Sequence, residues 1–219
     1  MAIQERAIRT RRRILEAAAS VFVEQGYQAA TITEILALAG LTKGSLYFHF
    51  KSKEELAQAV LDAQTDFVVR PQRLKLQELA DVGMLLAHRL QTDPLVRASV
   101  HLTLQQHAAH LQHHLSFRTW SDQNRQLLQL AQDRGEVLSH VDIDEVAQLL
   151  VGAFAGVQAM SQALSDYRDL PQRLSVLLRH VFPSIAAPSV LVQLQLGPDR
   201  SALVAEWCPA TVLSDEGPS

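Results

Sequence analysis

Residues 31 to 53 read TITEILALAGLTKGSLYFHFKSK and contain two short helix patterns that meet at Gly40. Thr31, with Glu34 three residues later, is a capping box that predicts the start of the first helix. Apolar residues then recur at helical spacing until Gly40, a typical helix end. Thr42 opens a second helix rich in small, hydroxyl, aromatic and basic side chains. This arrangement predicts a helix-turn-helix, whose second helix reads the major groove of DNA.

The flanking residues add two further helices to this motif. Residues 9–24 carry apolar side chains at helical spacing, and Gly26 stands where a C-terminal cap belongs. Ser52 and Glu55 form a second capping box, from which a fourth helix is expected to run toward Phe67. We expect the first three helices to form a DNA-binding domain over residues 1 to 53. The fourth helix would couple it rigidly to the rest of the chain.

The second helix of the motif separates inward-facing from outward-facing side chains. Leu46 and Phe50 are expected to pack inward, which leaves the hydroxyl of Tyr47 facing a phosphate. Gly44 lets the backbone approach the groove closely. The residues expected to contact DNA are Arg9, Arg12, Thr31, Thr33, Thr42, Lys43, Gly44, Ser45, Tyr47, His49 and Lys53.

The distribution of charge supports this assignment. The whole chain carries a net charge of −3, whereas eight basic and four acidic residues give residues 1–53 a net charge of +4. A basic head on an acidic body keeps DNA at one end of the molecule. The arginine cluster that ends at Arg13 suits either phosphate contact or a solvated helix start. The adjacent helix-turn-helix favours phosphate contact.

The composition is that of a soluble globular protein of 219 residues, 47% of them hydrophobic. Its one cysteine, Cys208, excludes an internal disulfide framework and suits a reducing cytoplasm, and residues 1–13 lack the apolar core of a signal peptide. The longest apolar stretch, residues 149–157, is much shorter than the roughly 20 residues that span a bilayer. It predicts a buried helix in a cytoplasmic protein that has no contact with membrane.

The remainder of the chain, residues 54–219, reads as helices without a strand pattern of useful length. Asp93 with Pro94 predicts one helix start, Asp142 with Glu145 predicts another, and Pro183 is expected to stop the last long helix. The sequence therefore predicts an all-α fold with a C-terminal helical domain for ligand binding and dimerisation. Its long helices are expected at residues 74–90, 93–111, 120–134, 143–165 and 170–182. Two short apolar segments, 190–196 and 202–207, are expected to pack on it, and the tail from about residue 208 is expected to be disordered.

These residues resemble a known family. The stretch from Arg9 to Leu61 is similar to the N-terminal domain of the tetracycline-repressor (TetR) family of bacterial regulators. More narrowly, TKGSLYFHFKSKEELAQAVLDAQ (42–64), FRTW (117–120), RGEVL (134–138) and VGAFAGVQAMSQAL (151–164) resemble the γ-butyrolactone autoregulator receptors of streptomycetes. The resemblance implies a homodimeric repressor that controls secondary metabolism. It would bind a pseudo-palindromic operator and release it when a signalling lactone, a butenolide or a related effector enters the C-terminal domain.

Trp120 is the main candidate for effector binding. It shares a helical stripe with Leu128 and Ala131, so its ring is expected to point inward, as a plain core residue would also do. The resemblance implies that this tryptophan stacks on the lactone ring. By the same analogy, Gln64 and Ser161 are candidate hydrogen-bond donors. Candidate apolar wall residues, each of which could equally be plain core, are Phe67, Val82, Leu86, Phe154 and Val157.

The helix expected over residues 143–165 is rich in small residues. A glycine inside a helix costs about 1 kcal/mol relative to alanine, so Gly152 and Gly156 suggest close approach of another helix or of a ligand. The resembled family dimerises through this helix and the last long helix. The expected dimer contacts are Gly152, Gly156, Leu174 and Leu178, with packing inside one chain as the alternative.

Five histidines between His101 and His114 raise the question of a metal site. His110 and His114 share a helix face, but no cysteine or nearby acidic residue completes a ligand shell. No nucleophile elbow, phosphate-binding loop or dinucleotide fingerprint occurs. We therefore expect no metal, no cofactor and no enzymatic activity.

The function expected from the sequence is a two-state switch. The effector favours a state in which the two DNA-binding domains of the dimer no longer have the spacing of the operator. A hundredfold release of DNA corresponds to about 2.7 kcal/mol of differential affinity, within reach of one buried aromatic stack and one or two hydrogen bonds. Two alternatives stay open within DNA binding. One is a pseudo-receptor of the same family that answers to an antibiotic or another small molecule, and the other is a DNA-binding dimer without ligand response.

Overall fold

The computed structural model describes residues 2–65, 67–104 and 113–208, and these residues form helices and no extended strand. An isolated antiparallel bridge joins Val137 and Ala186. The all-α fold expected from the sequence is confirmed. The described helices are α1 (Ala2–Ala29), α2 (Ile32–Ala39), α3 (Lys43–His49), α4 (Lys53–Asp62), α5 (Lys75–Thr92), α6 (Pro94–Leu104), α7 (His113–Asp133), α8 (Ile143–Ser165), α9 (Leu170–Ile185), α10 (Pro188–Leu191) and α11 (Arg200–Trp207).

The first compact unit contains α1 to α4 together with α6. Its core is apolar, and Phe22, Ile35, Leu46 and Leu61 are almost completely buried in it. Residues of α6 such as Leu102 belong to the same core. This unit therefore extends beyond residue 53, where the sequence suggested that the DNA-binding domain ends, because α4 and α6 bury their apolar faces against α1.

Most caps lie where they were expected, but several helix boundaries differ. α1 begins at Ala2 and not at residue 9, and α7 begins at His113 and not at residue 120. Gly26 has φ of 77° and interrupts α1, after which the chain makes one more helical turn. α4 ends at Asp62, so the fourth helix does not reach Phe67. α9 continues through Pro183 to Ile185 because the missing N–H of a proline costs only one hydrogen bond so near the helix end, and Ala186 N–H closes the turn on Phe182 O.

The second compact unit contains α5, most of α7 and α8 to α11. α5 packs against α9 and α11, and α8 packs against α9. The approach of α5 to α9 is close, since a Cβ built on Gly83 would lie 3.3 Å from Leu174 Cδ2. The expected tail from about residue 208 and the expected helix end near residue 111 lie outside the described residues.

A buried ion pair joins α5 and α11, which are the first and the last helix of the second unit in chain order. Arg200 on α11 donates from Nε and Nη2 to the two carboxylate oxygens of Asp81 on α5, at 2.8 and 2.7 Å. Gln77 Nε2 also donates to Asp81, at 2.8 Å, and the ring of Trp207 lies 4.9 Å from the guanidinium. Removing one partner of such a pair costs about 3–5 kcal/mol, because the other charge stays buried and uncompensated.

Helix α8 is less buried than the sequence suggested. By length and composition it is apolar enough to cross a membrane, yet only 22% of its most apolar window is buried within the chain. The expectation of a buried helix over residues 149–157 is therefore wrong for the single chain. Small and apolar residues on its outer face are exposed, namely Leu149, Gly152, Gly156, Met160 and Leu164.

Candidate nucleic-acid interface and effector site

The helix-turn-helix geometry arises from local hydrogen bonds. Thr31 Oγ1 accepts from Glu34 N–H, and the Glu34 carboxylate accepts from Thr31 N–H at 2.9 Å, which completes the capping box. Gly40 adopts φ of 62°, a left-handed conformation that other residues rarely take, and so ends α2. Thr42 then caps α3 by accepting from Ser45 N–H at 3.3 Å. The predicted turn and both of its helices are confirmed.

The inward side of α3 is anchored by Leu46 and Phe50, both nearly fully buried. Of the residues predicted to contact DNA, those from Thr42 to His49 belong to α3 or cap it, and the others lie on α1, α2, α4 or the cap of α2. Those that are exposed are Arg9, Thr31, Thr33, Thr42, Lys43, Gly44 and Tyr47, and those that are half-buried are Ser45, His49 and Lys53.

Phe48 belongs to the same surface, although the sequence analysis did not select it. It is 79% exposed, and its ring meets that of His49 edge to face at 5.0 Å. The signal was its register, since position 48 lies two residues from each of the buried anchors Leu46 and Phe50. An exposed phenylalanine on a reading helix offers apolar contact to a thymine methyl group.

Two lysines of this surface stack on tyrosines. Lys43 Nζ lies 5.9 Å from the ring of Tyr47, one turn further along α3. Lys53 Nζ lies 4.5 Å from the ring of Tyr27 and 3.3 Å from Gln28 O, to which it donates. Burial and a hydrogen bond with Glu54 raise the pKa of Tyr27 to about 12, so its phenol stays neutral beneath the lysine.

The N-terminal arginines divide into two groups. Arg12 forms ion pairs with Glu16 at 2.8 Å and with Asp93 at 3.0 Å, so it joins α1 to the start of α6. Arg13 Nη2 donates to Ala39 O at 2.7 Å, and Arg11 lies over the ring of Phe50. Arg12 is therefore not expected to contact DNA, because its guanidinium is already paired with two carboxylates, whereas Arg9 is exposed.

The second unit carries a line of three interacting side chains at the predicted effector site. Trp120 on α7 is half-buried, and its ring centroid lies 5.9 Å from that of Phe67. The guanidinium of Arg89 lies 5.1 Å from the centroid of the Phe67 ring. Val82 and Phe67 are half-buried beside the small core of Val69, Leu85 and Val204.

The remaining predicted wall residues also lie in the second unit. Leu86 on α5 is buried, whereas Phe154 and Val157 on α8 are half-buried. Half-buried apolar side chains retain surface that a ligand can cover. Leu86, in contrast, is consistent with plain core as well as with a pocket wall.

The two predicted hydrogen-bond donors are already engaged within the chain. Gln64 lies in the first unit, and its amide Nε2 donates to Thr103 Oγ1 at 2.8 Å and to Leu61 O at 3.3 Å. Ser161 donates its hydroxyl proton to Asp169 Oδ1 at 2.6 Å. The donor roles that family analogy suggested for these two residues are therefore not supported by the structure, because both sets of protons stabilise the fold.

The carboxylate that Ser161 binds is the centre of the α8–α9 turn. Arg173 Nε donates to Asp169 Oδ2 at 2.7 Å, and Ser165 Oγ donates to Oδ1 at 2.6 Å. These three hydrogen bonds hold the pKa of Asp169 well below its ordinary value. The cluster therefore fixes the turn and does not supply a titrating group near neutral pH.

The residues predicted for dimerisation divide by exposure. Gly152 and Gly156 are exposed, and a Cβ built on either would meet no atom within 4 Å. Leu174 and Leu178 are buried in the second unit, so the proposal that they meet a partner subunit needs correction. Their stripe packs on the chain's own α5, and the exposed apolar residue beside it on α9 is Val176.

A polar cavity of about 190 Å³ lies elsewhere in the second unit. Its amide and guanidinium groups bind one another, as in the bonds from Arg73 Nη2 to Gln193 Oε1 and from Arg200 Nη1 to Gln195 Oε1, at 2.8 and 2.7 Å. Effector sites are mostly apolar with a few polar groups, so this cavity is a poor match for one. It is lined by Gln72, Arg73, Leu74, Gln77, Gln193, Gln195 and Arg200.

Metal ligation finds no support in the part of the chain that the structure describes. No three metal-ligating side chains come together there. His101 is half-buried on α6, and His107 and His110 lie outside the described residues, as do the side chains of His113 and His114.

The confirmed turn, the accessible α3 surface and the separate helical unit define a helix-turn-helix DNA-binding regulator. Residues 14–60 match the model of the bacterial regulatory proteins of the tetR family. The chain is 41% identical to the A-factor receptor protein of Streptomyces griseus over 89% of its own length and 70% of that protein.

Two solved structures extend the likeness over the full fold. TylP, a TetR regulator from Streptomyces fradiae, is 46% identical with a TM-score of 0.85, and the match covers 92% of this chain and 98% of TylP. A γ-butyrolactone receptor, an ArpA-like protein, is 28% identical with a TM-score of 0.66 over 92% of this chain and 98% of that one.

The chain belongs to the TetR family of transcriptional regulators and, within it, to the subfamily of the γ-butyrolactone autoregulator receptors. It is a ligand-responsive DNA-binding repressor and not an enzyme.

Proposed function

We propose that this repressor binds a pseudo-palindromic operator as a homodimer and releases it when a γ-butyrolactone or butenolide signal binds in the second unit. The proposal rests mainly on the likeness to the A-factor receptor, which covers 89% of this chain and therefore includes the effector-binding part as well as the head. Such a repressor would act in the cytoplasm, on operators of genes for secondary metabolism.

The DNA contacts that we propose follow the exposed surface of the first unit. Lys43 and Lys53 supply positive charge, Tyr47 supplies a hydroxyl for a phosphate, and Phe48 supplies an apolar edge. Thr42 contributes twice, as the cap of α3 and as a side chain at the N-terminus of the reading helix. One such helix reads only a few base pairs, so two heads about 34 Å apart, or a multiple of this distance, would add their binding energies.

The dimer contact that we propose is the exposed outer stripe of α8 together with Val176 on α9. Its residues recur every three or four positions, from Leu149 through Gly152, Gly156 and Met160 to Leu164. Exposed apolar side chains in a continuous stripe mark an interaction surface, and small residues let two helix backbones approach closely. A second copy of α8 is the partner that we propose, because a twofold homodimer brings the same surface of both subunits together.

The effector contacts that we propose centre on Trp120. Its ring and that of Phe67, tilted by 47° to each other, offer aromatic faces, and Val82, Phe154 and Val157 keep exposed area that a ligand can cover. An aromatic stack contributes about 0.5–1.5 kcal/mol beyond the burial of apolar area. Added to one or two hydrogen bonds of about 1 kcal/mol each, this suffices for the differential affinity of about 2.7 kcal/mol that a hundredfold release requires.

A second candidate function lies within the same family. The chain is more similar to TylP, a TetR regulator, at 46% identity and a TM-score of 0.85, than to the ArpA-like γ-butyrolactone receptor, at 28% and 0.66, so its likeness to solved structures is not specific to lactone receptors. A pseudo-receptor that binds the operator but answers to an antibiotic or another small molecule would show the same head and the same dimer surface.

A titration of the operator complex distinguishes these functions. The purified protein would be bound to a fluorescent palindromic duplex selected from random sequence, and anisotropy would be followed as lactones, butenolides and antibiotics are added separately. Release by a lactone or butenolide at low concentration supports the proposal. Release by antibiotics alone identifies a pseudo-receptor, and a duplex that stays bound under all additions contradicts the effector part of the proposal.

A further inference from the structure

Two buried polar side chains of the second unit carry a hydrogen-bonding atom without a partner. Gln158 on α8 is 3% exposed and its Nε2 is unpaired, and Ser175 on α9 is 1% exposed and its Oγ is unpaired. Buried polar groups in native proteins are nearly always hydrogen-bonded, so an exception calls for an explanation such as a ligand or a bound water. Neither residue was expected from the sequence to belong to a site.

Counting residues along the helical hairpin places both side chains at nearly the same level. Gln158 lies seven residues before Ser165, the last residue of α8, and Ser175 lies five residues after Leu170, the first of α9. With a rise of 1.5 Å per residue, these positions are about 10 and 8 Å from the turn. α8 packs on α9, and both side chains are buried at this level of the hairpin.

Their neighbours belong to the proposed effector wall. Phe154 lies one turn before Gln158 on the same face of α8, and Val157 precedes Gln158 directly, both half-buried. Ser161 lies one turn beyond Gln158, but its hydroxyl proton is donated to Asp169. On this face of α8, Gln158 is therefore the residue with a donor still to give.

We infer that Gln158 and Ser175 are the polar recognition residues for the effector, which is a neutral ligand with a carbonyl acceptor. This inference rests on the function proposed above. The amide Nε2 has two protons and accepts nothing, so it matches a lactone carbonyl, and the Ser175 hydroxyl can donate to or accept from a second ligand oxygen. Neither group is charged, so the pair suits the oxygen atoms of a neutral ester or lactone.

Gln158→Met tests the inference because it keeps the length of the side chain and removes the amide. We expect the full-length variant to need about tenfold or more lactone to release the operator, because a site that lacks a specific donor loses much of its affinity for the acceptor. Its operator affinity should not fall, since Gln158 lies in the second unit, and its thermal midpoint should not fall, since the Nε2 group that is removed has no partner in the protein. Ser175→Ala should act in the same direction. Gln126→Met, at an exposed position on α7, is the matched control and should behave like the wild type.

A cyclic ether that lacks only the lactone carbonyl identifies the bonding atom. It should bind the wild type and Gln158→Met equally, whereas the parent lactone should distinguish them. If the wild type responds to the lactone and Gln158→Met responds at the same concentration, the inference is overturned, the amide binds only water, and the proposed function stands. If the wild type responds to no lactone or butenolide, the proposed function and this inference are both overturned.

Discussion

The ring of Trp120 on α7 lies 5.9 Å from the ring of Phe67, tilted by 47°, in the unit that carries the proposed effector site. Trp120→Ala removes one of these rings and leaves the first unit untouched. We expect operator affinity within about twofold of wild type and at least about tenfold more lactone for release, which corresponds to a loss of about 1.4 kcal/mol. Anisotropy of a labelled operator measures both quantities.

The second tryptophan provides the control for this prediction. Trp207 is 42% exposed on α11 and stacks on Arg200. Trp207→Ala should release the operator at wild-type lactone concentrations. Normal release by Trp120→Ala would show that Trp120 is a core residue and that the proposed pocket is wrong.

Lys43→Ala tests the α3 surface. Lys43 is exposed above Tyr47 and has no carboxylate partner among the described ion pairs. If it neutralises a phosphate, the variant should bind all duplexes more weakly, and the slope of log affinity against log salt should decrease by about 2 per dimer. Arg118→Ala, an exposed change of the same charge on α7, should leave the slope unchanged. An unaltered slope in Lys43→Ala would place this lysine away from the DNA backbone.

A substitution of Gly156 tests association of two subunits without changing the fold of the single chain. A Cβ at this position meets no atom of its own chain within 4 Å, so Gly156→Leu should fold with unchanged helicity. A leucine side chain on the outer stripe of α8 should nevertheless keep two helices apart. Sedimentation analysis should show a shift from dimer to monomer, and operator binding should weaken because one head alone is left.

Ala202→Leu, at an exposed position on α11, is the control and should remain dimeric. A Gly156→Leu protein that sediments as a dimer would exclude this stripe from the interface.

Asp169→Asn should change the dependence of stability on pH. Hydrogen bonds from Arg173, Ser161 and Ser165 hold the pKa of Asp169 below its ordinary value in the folded chain. The folded state therefore favours the carboxylate, and this contribution is complete above about pH 4 and is lost as the pH falls toward the folded pKa. The variant should unfold at lower urea than the wild type at pH 7. The gap should narrow at pH 3, and a gap independent of pH would contradict this account.

The parts of the fold that were predictable from the sequence are those fixed by neighbouring residues. Each of these features involves groups only a few residues apart, so the residue types alone predict them. They are the capping bonds of Thr31, Thr42 and Asp142 and the left-handed Gly40. The ends of α4 and α9 were predicted less well. A proline near the end of a helix removes only one hydrogen bond, and apolar spacing alone does not define where α4 stops.

The roles of polar residues were predictable only where their partners are near in sequence. Arg12 binds Asp93, 81 residues away, and Gln64 binds Thr103, 39 residues away. Such pairs depend on tertiary packing, so the charge pattern assigned Arg12 to DNA and family analogy assigned Gln64 to the ligand. Periodicity has a similar limit at Leu174, because an apolar stripe has the same pattern whether it faces the chain's own core or a partner.

The buried pair between Arg200 and Asp81 bears on how this part of the molecule can change in evolution. Asp81 accepts two hydrogen bonds from Arg200 and one from Gln77, and Gln77 forms two more with the backbone of Gln195. Together these bonds connect α5 to residues more than 100 positions further along the chain. A substitution of Asp81 or Arg200 alone would leave the other charge buried without a partner. Related sequences should therefore change both residues together or keep both.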